Sequence, residues 1–158
     1  MAGSNATPSM PESQPRMFSI RRTARIEWGD CDPAGIVFYQ RYFAMFNHST
    51  ELLIEGALGV KKITLNKQHG LGGFPAVATE ARFLLPTRYG DDVEIESAFT
   101  RIGRSSFAIR HKLTLDGVLA VEGNETRCWV TLDPTRPGSL RAQALPDDVA
   151  AKFKTAAS

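Results

Sequence analysis

The 158-residue sequence holds only two cysteines, Cys31 and Cys128, too few to define a disulfide framework. It lacks charge of one sign: nineteen Lys and Arg against seventeen Asp and Glu leave +2, far from the basic excess of a nucleic-acid binder. No apolar run approaches the ~20 residues that cross a bilayer. The opening stretch, MAGSNATPSMPESQP, has no basic segment followed by an apolar one, so a secretory leader is not expected. Membrane, collagenous, disulfide-rich and wholly disordered classes are thereby excluded. What remains is one globular domain, expected in a reducing cytoplasm and long enough to bury roughly 70% of its unfolded surface without a metal or disulfide.

Common catalytic signatures are missing too. Gly103-Arg104-Ser105-Ser106-Phe107 lacks the closing glycine of a nucleophile elbow. The glycines at 70–73 form no dinucleotide fingerprint, and no P-loop lysine motif occurs. His48, His69 and His111 match no metal-ligand spacing, so no metal site and no cofactor are expected.

The chain does carry strong periodic signals. Residues 1–16, rich in Ser, Pro, Ala and Asn, are expected to be a disordered tail ahead of one domain at 17–158. Residues 18–28 alternate as a strand does, with Phe18, Ile20, Ile26 and Trp28 on one face and Arg22 interrupting it. Turn formers crowd GDCDPAG at 29–35. From Tyr39 to Ala57 the period becomes helical: Tyr42, Met45, Phe46, Ser49, Leu53 and Gly56 recur at three- and four-residue steps. A helix this apolar should be enclosed over much of its circumference. A short second helix is expected at 60–70, with Gly72 and Gly73 continuing its loop.

Four strands follow, at 76–85, 92–102, 106–115 and 118–132. The first should place Val77, Thr79, Ala81, Phe83 and Leu85 on one face. Asp116-Gly117 is a two-residue hairpin signal, and Gly123 suggests a bulge or a close backbone approach. Residues 146–154 suit a short terminal helix. Strand, long helix, then four antiparallel strands imply an α+β fold with a sheet wrapped around the helix.

Asp30-Cys31-Asp32 is the densest group of reactive side chains. Two flanking aspartates push the Cys31 thiol away from a nucleophilic thiolate, so it reads as a small filler. Asp30 and Asp32 are on local grounds turn formers, and Pro33 holds Asp32 extended. The whole stretch WGDCDPAGIVFYQRYFAMFN, at 28–47, resembles the signature of the 4-hydroxybenzoyl-CoA thioesterase family of the hotdog fold. Tyr89-Gly90-Asp91-Asp92-Val93 and Ser106-Phe107 with Arg110-His111 extend the likeness over roughly 20–148. The Tol–Pal acyl-CoA thioesterases differ at Cys31, Pro33, Ala34 and Tyr39, which makes the aromatic-acyl branch the nearer one.

The resemblance implies a hotdog fold, a five-stranded antiparallel sheet around a long central helix, and hydrolysis of an aromatic acyl-CoA. It makes Asp32 the nucleophile or the general base, with the Tyr39 N–H, or those of Gly35 and Phe38, polarising the carbonyl. Gly35 would let backbone approach the substrate, and Phe38 and Phe43 would line the acyl pocket. Arg104 with Ser105, and Arg127, are the candidates for the CoA phosphates. Glu51 or Glu55 would be the analogue of the helix glutamate used in another hotdog branch, although solvation explains both more simply. The resemblance further implies a homo-oligomer, most simply a tetramer, while the charge balance and the lack of a long apolar run speak against nucleic-acid and membrane partners. The competing readings are a short-chain aliphatic thioesterase and a non-catalytic acyl-CoA binder.

Overall fold

The computed structural model describes residues 16–156, so the expected N-terminal tail lies, except for Arg16, outside the described residues. Strand β1 (Ser19–Arg25) runs into a single 3-10 turn at Trp28–Asp30. After the loop come α1 (Tyr39–Leu58), α2 (Lys62–His69), β2 (Leu71–Gly73) and β3 (Ala76–Phe83). The rest is β4 (Asp92–Ile102), β5 (Ser106–Leu115), β6 (Val118–Cys128), β7 (Val130–Leu132), β8 (Leu140–Ala142) and α3 (Asp147–Lys154).

The main sheet has five antiparallel strands in the order β1-β4-β5-β6-β3. Its inner face buries Val93, Ile95 and Phe99 of β4 with Phe107, Ile109 and Leu113 of β5, as the alternation requires. Helix α1 lies on that face and buries Tyr42, Phe46, Ser49, Thr50, Leu53, Ile54 and Leu58. This is the hotdog arrangement. No helix among the described residues is long and apolar enough to cross a membrane.

Local chemistry accounts for the turns. Asp116 and Gly117 both take positive φ, 51° and 78°, which matches a hairpin turn with the right-handed twist of β5 and β6. Helix α1 ends where Gly59 adopts φ 70° and its N–H reaches the Glu55 carbonyl. At Gly123 a Cβ would stand 2.6 Å from the Phe46 ring, so glycine serves close approach of strand and helix. Arg22, the odd residue on the apolar face of β1, donates to Ser49 Oγ at 2.7 Å and to the Met45 carbonyl at 2.9 Å. It ties β1 to α1, and burial lowers its pKa.

Four expectations change. The run at 118–132 breaks at Trp129, and β7 joins β2 and β8 in a second, three-stranded sheet. Gly72 and Gly73 therefore lie in a strand, too short for any period to reveal. Trp28 does not join the buried face but stands 78% exposed, because the chain turns over at residues 28–30. Strand β3 is exposed along most of its length, Val77 and Phe83 included, because it is the sheet edge and none of the described residues covers it.

Candidate active site

The loop between β1 and α1 folds back on itself. Asp30 closes the 3-10 turn: its Oδ2 accepts the Glu27 N–H at 2.9 Å and its Oδ1 accepts Arg41 Nε at 3.0 Å. Both oxygens are thus occupied by structural bonds. Asp32 differs. Its Oδ1 accepts the Ala34 N–H at 2.8 Å, the side-chain turn expected of Asp, while Oδ2 has no partner among the described residues. The Asp32 carbonyl accepts the Gly35 N–H at 2.9 Å, and Gly35 takes φ 76°, where a side chain would be strained. The returning arm is closed by Asp32 N–H to the Ile36 carbonyl at 3.0 Å and Phe38 N–H to the Asp30 carbonyl at 2.9 Å. Asp32 and the start of α1 are thereby carried on the two arms of one short folded loop.

Those bonds decide which amides remain open. The N–H groups of Gly35 and Phe38 are both spent inside the loop, which removes them as carbonyl-polarising donors. Arg41 N–H turns back to the Phe38 carbonyl at 2.8 Å, whereas the N–H groups of Tyr39 and Gln40 find no acceptor among the described residues. They lie at the N-terminus of a 20-residue helix, the positive end of its dipole.

Aromatic rings gather beside this helix start. Phe38 and Tyr39 meet edge to face at 5.1 Å, and Phe83 of β3 lies 6.5 Å from Tyr39 and 5.8 Å from Tyr42. Phe83 is the member that sequence reading missed as a site residue; its partners lie far along the chain. Phe43 is half-buried on α1 without an aromatic partner among the described residues.

The remaining candidates separate. Arg104 is exposed in the β4–β5 turn; its carbonyl accepts Leu145 N–H and the Ser105 carbonyl accepts Trp129 N–H, each at 2.8 Å. Arg127 is not a surface cation. It is buried, donating to Glu125 at 2.8 Å, Asn47 at 2.9 Å and the Phe74 carbonyl at 3.3 Å. It is not placed to hold a CoA phosphate, because the guanidinium is buried and both of its Nη atoms are paired inside the fold. Glu51 and Glu55 are not merely solvated: Glu51 pairs with Lys62 Nζ at 2.9 Å and Glu55 accepts the Lys62 N–H at 3.0 Å, together holding the start of α2.

Glu125 is the centre of a polar cluster inside the core. Its carboxylate accepts from Thr50 and Arg127 and lies 3.2 Å from His111 Nε2, while His111 Nδ1 meets Ser97 Oγ at 2.7 Å. Burial pushes the Glu125 carboxyl up, but hydrogen bonds from His111, Arg127 and Thr50 outweigh it and hold the pKa at about 2. The cluster ties α1 to β4, β5 and β6. The inward register of His111 between Ile109 and Leu113 was the one sequence signal for it.

Comparison with known proteins adds an independent line. Residues 26–153 match the family model described as the thioesterase-like superfamily. The chain is 33% identical over 136 residues to 4-hydroxybenzoyl-CoA thioesterase of Pseudomonas sp. (strain CBS-3), covering 82% of this chain and 94% of that protein. A 1,4-dihydroxy-2-naphthoyl-CoA hydrolase of Synechococcus elongatus is 32% identical over 89 residues, 56% of this chain and 65% of that one. A crystal structure of a 4-hydroxybenzoyl-CoA thioesterase variant bound to 4-hydroxybenzoyl-CoA superposes with TM-score 0.78 at 29% identity, covering 85% of this chain and 98% of that one. A gentisyl-coenzyme A thioesterase superposes with TM-score 0.72 at 26% identity, covering 82% and 98%.

Proposed function

Because the chain belongs to the thioesterase-like superfamily and is a hotdog acyl-CoA thioesterase, we propose that it hydrolyses an aromatic acyl-CoA, such as 4-hydroxybenzoyl- or benzoyl-CoA. The observation that carries this reading is Asp32, half-buried with one carboxylate oxygen free, on the same folded loop as the unpaired Tyr39 N–H. The exposed rings of Phe38, Tyr39 and Phe83 beside it favour a planar acyl group.

Asp32 acts in one of two balanced ways. As nucleophile, its free oxygen bonds to the acyl carbon, the C–S bond breaks, and the CoA thiolate leaves; water then hydrolyses the mixed anhydride. As base, it takes a proton from a water that bonds to the same carbon; the C–S bond breaks, and the CoA sulfur leaves and takes up that proton. In both, the negative charge that develops on the carbonyl oxygen is met by the Tyr39 N–H at the helix N-terminus.

Arg104, with Ser105 beside it, is the cation assigned to the CoA phosphates. The Asp32 loop bonds to residues 87–88, just before β4, whereas Arg104 follows its other end. The eleven residues of β4, roughly 30 Å measured along the strand, lie between the two. Asp32 and Arg104 therefore lie towards opposite ends of β4, and the proposed site takes Asp32 from one copy and Arg104 from another. The open β3 edge, with Val77 and Phe83 exposed, suits pairing between copies, and a tetramer is the proposed assembly. The free thiols of Cys31 and Cys128 suit the cytoplasm.

The test is a substrate panel assayed for released thiol. Benzoyl- and 4-hydroxybenzoyl-CoA are expected to give higher kcat/KM than butyryl-CoA. Preference for butyryl-CoA would establish the aliphatic alternative, and turnover of none would remove the assignment.

A further inference from the structure

The first turn of α1 has no side chain capping it: Phe38 occupies the N-cap and offers no acceptor. The open Tyr39 amide is nonetheless useful only if the helix start stays in one place relative to Asp32. One turn into the helix, the Tyr42 hydroxyl lies 2.8 Å from Thr87 Oγ1. Both residues are buried, Tyr42 at 4% exposure and Thr87 at 0%. Around Tyr42 the core is otherwise apolar, formed by Ile26, Val37, Phe46, Val93, Ala120 and Val121.

Thr87 is bonded in both directions. Its carbonyl accepts the Val37 N–H at 2.9 Å, and its own N–H reaches the Tyr42 hydroxyl at 3.4 Å. Next to it, Arg88 bridges Ile36, whose carbonyl accepts the Asp32 N–H at 3.0 Å. A continuous path of hydrogen bonds therefore runs from Asp32 through Ile36 and Val37 to Thr87, and from Thr87 across to the first turn of α1. The N-cap is already tied to Asp30 by the Phe38 N–H and by Arg41 Nε; the hydroxyl pair adds the tie from the first turn of α1 to Thr87, on the far side of the same loop.

We propose that the buried Tyr42–Thr87 hydroxyl pair positions the α1 N-terminus against the Asp32 loop, making both positioning residues for thioester hydrolysis. This role rests on the thioesterase reading above. A merely structural pair makes a different forecast. Replacing both hydroxyls by apolar groups of similar shape is close to neutral for that bond, and takes from the Thr87 N–H only a long 3.4 Å contact. If the pair only fills space, the double variant Tyr42→Phe/Thr87→Val should match the wild type in stability and in activity.

If the pair positions the amide, that double variant should keep its melting temperature within a few degrees and lose kcat by at least about tenfold with KM nearly unchanged, because misplacement of about an ångström is costly in the chemical step. Thr87→Ser, which keeps the hydroxyl, should retain wild-type kcat. Should the double variant fail to fold, Tyr42→Phe alone, which removes one oxygen atom, carries the same expectation for kcat. A folded Tyr42→Phe variant with wild-type kcat overturns the positioning role while leaving the thioesterase reading intact. Wild-type protein that turns over none of the acyl-CoA panel overturns both.

Discussion

The ring of Phe46 lies flat on the imidazole of His111, with centroids 4.7 Å apart and planes 5° from parallel. Gly123, the register partner of His111 on β6, leaves the space that the edge of Phe46 fills. Gly123→Ala should therefore overpack the core and destabilise the protein by about 1–3 kcal/mol. Phe46→Leu in the same chain should recover part of that loss, which urea unfolding of the two variants and their combination would measure. Additive losses would show that the two positions do not compete for one space.

Stability should fall in acid through Glu125. Its folded pKa of about 2 lies below the ordinary carboxylate value of 4.5, so the native state favours the ionised form. The stabilisation is complete above pH ~5 and is lost as pH falls from 4.5 towards 2, an effect on the order of 3 kcal/mol. Denaturant midpoints at pH 6 and pH 3 should differ accordingly. In Glu125→Gln, already destabilised because Arg127 loses its counter-ion, this part of the pH dependence should vanish. An equal pH slope in both proteins would show that Glu125 is not the titrating group.

Asp32→Asn keeps a turn-forming side chain and removes the charge. Turnover should drop by about 10²–10⁴ with KM preserved or lowered, measured by thiol release. Asp30→Asn should cost less turnover, since Asp30 spends its oxygens on Glu27 and Arg41. Wild-type turnover in folded Asp32→Asn would remove Asp32 from the chemistry.

The two arginines should fail differently. Arg104→Ala should raise KM about tenfold or more with kcat little changed, because a phosphate grip is shared by ground and transition states. Arg127→Ala should instead cost about 3–5 kcal/mol of stability, since it strands the buried Glu125 carboxylate. Light scattering should return a mass above the 17.3 kDa of one chain. Mixing refolded Asp32→Asn and Arg104→Ala chains should produce turnover at wild-type KM, which neither variant shows alone, because a mixed assembly contains a site with both residues intact. No recovery in co-assembled chains would place Asp32 and Arg104 in separate sites.

Much of this is legible in the sequence. The Asp116-Gly117 hairpin, the Pro33-to-Gly35 turn and the 3.6-residue stripe of α1 follow from steric limits on φ and from which side chains avoid water, both properties of neighbouring residues. The Asp32 loop was legible for the same reason: its unusual residues are contiguous. Tertiary structure alone decided the rest. Arg127 reads from the sequence as a candidate for the CoA phosphates, whereas its inward register sets it against Glu125 and against Asn47, 80 positions away. Thr87 lies in a loop with no pattern of its own, and only the return of residues 36–37 gives its hydroxyl and carbonyl their partners. Phe83 alternates like a core residue yet stays exposed, because β3 is the sheet edge. Turns and periods are written in consecutive residues, whereas charge pairing and exposure depend on which distant strand the chain lays beside them.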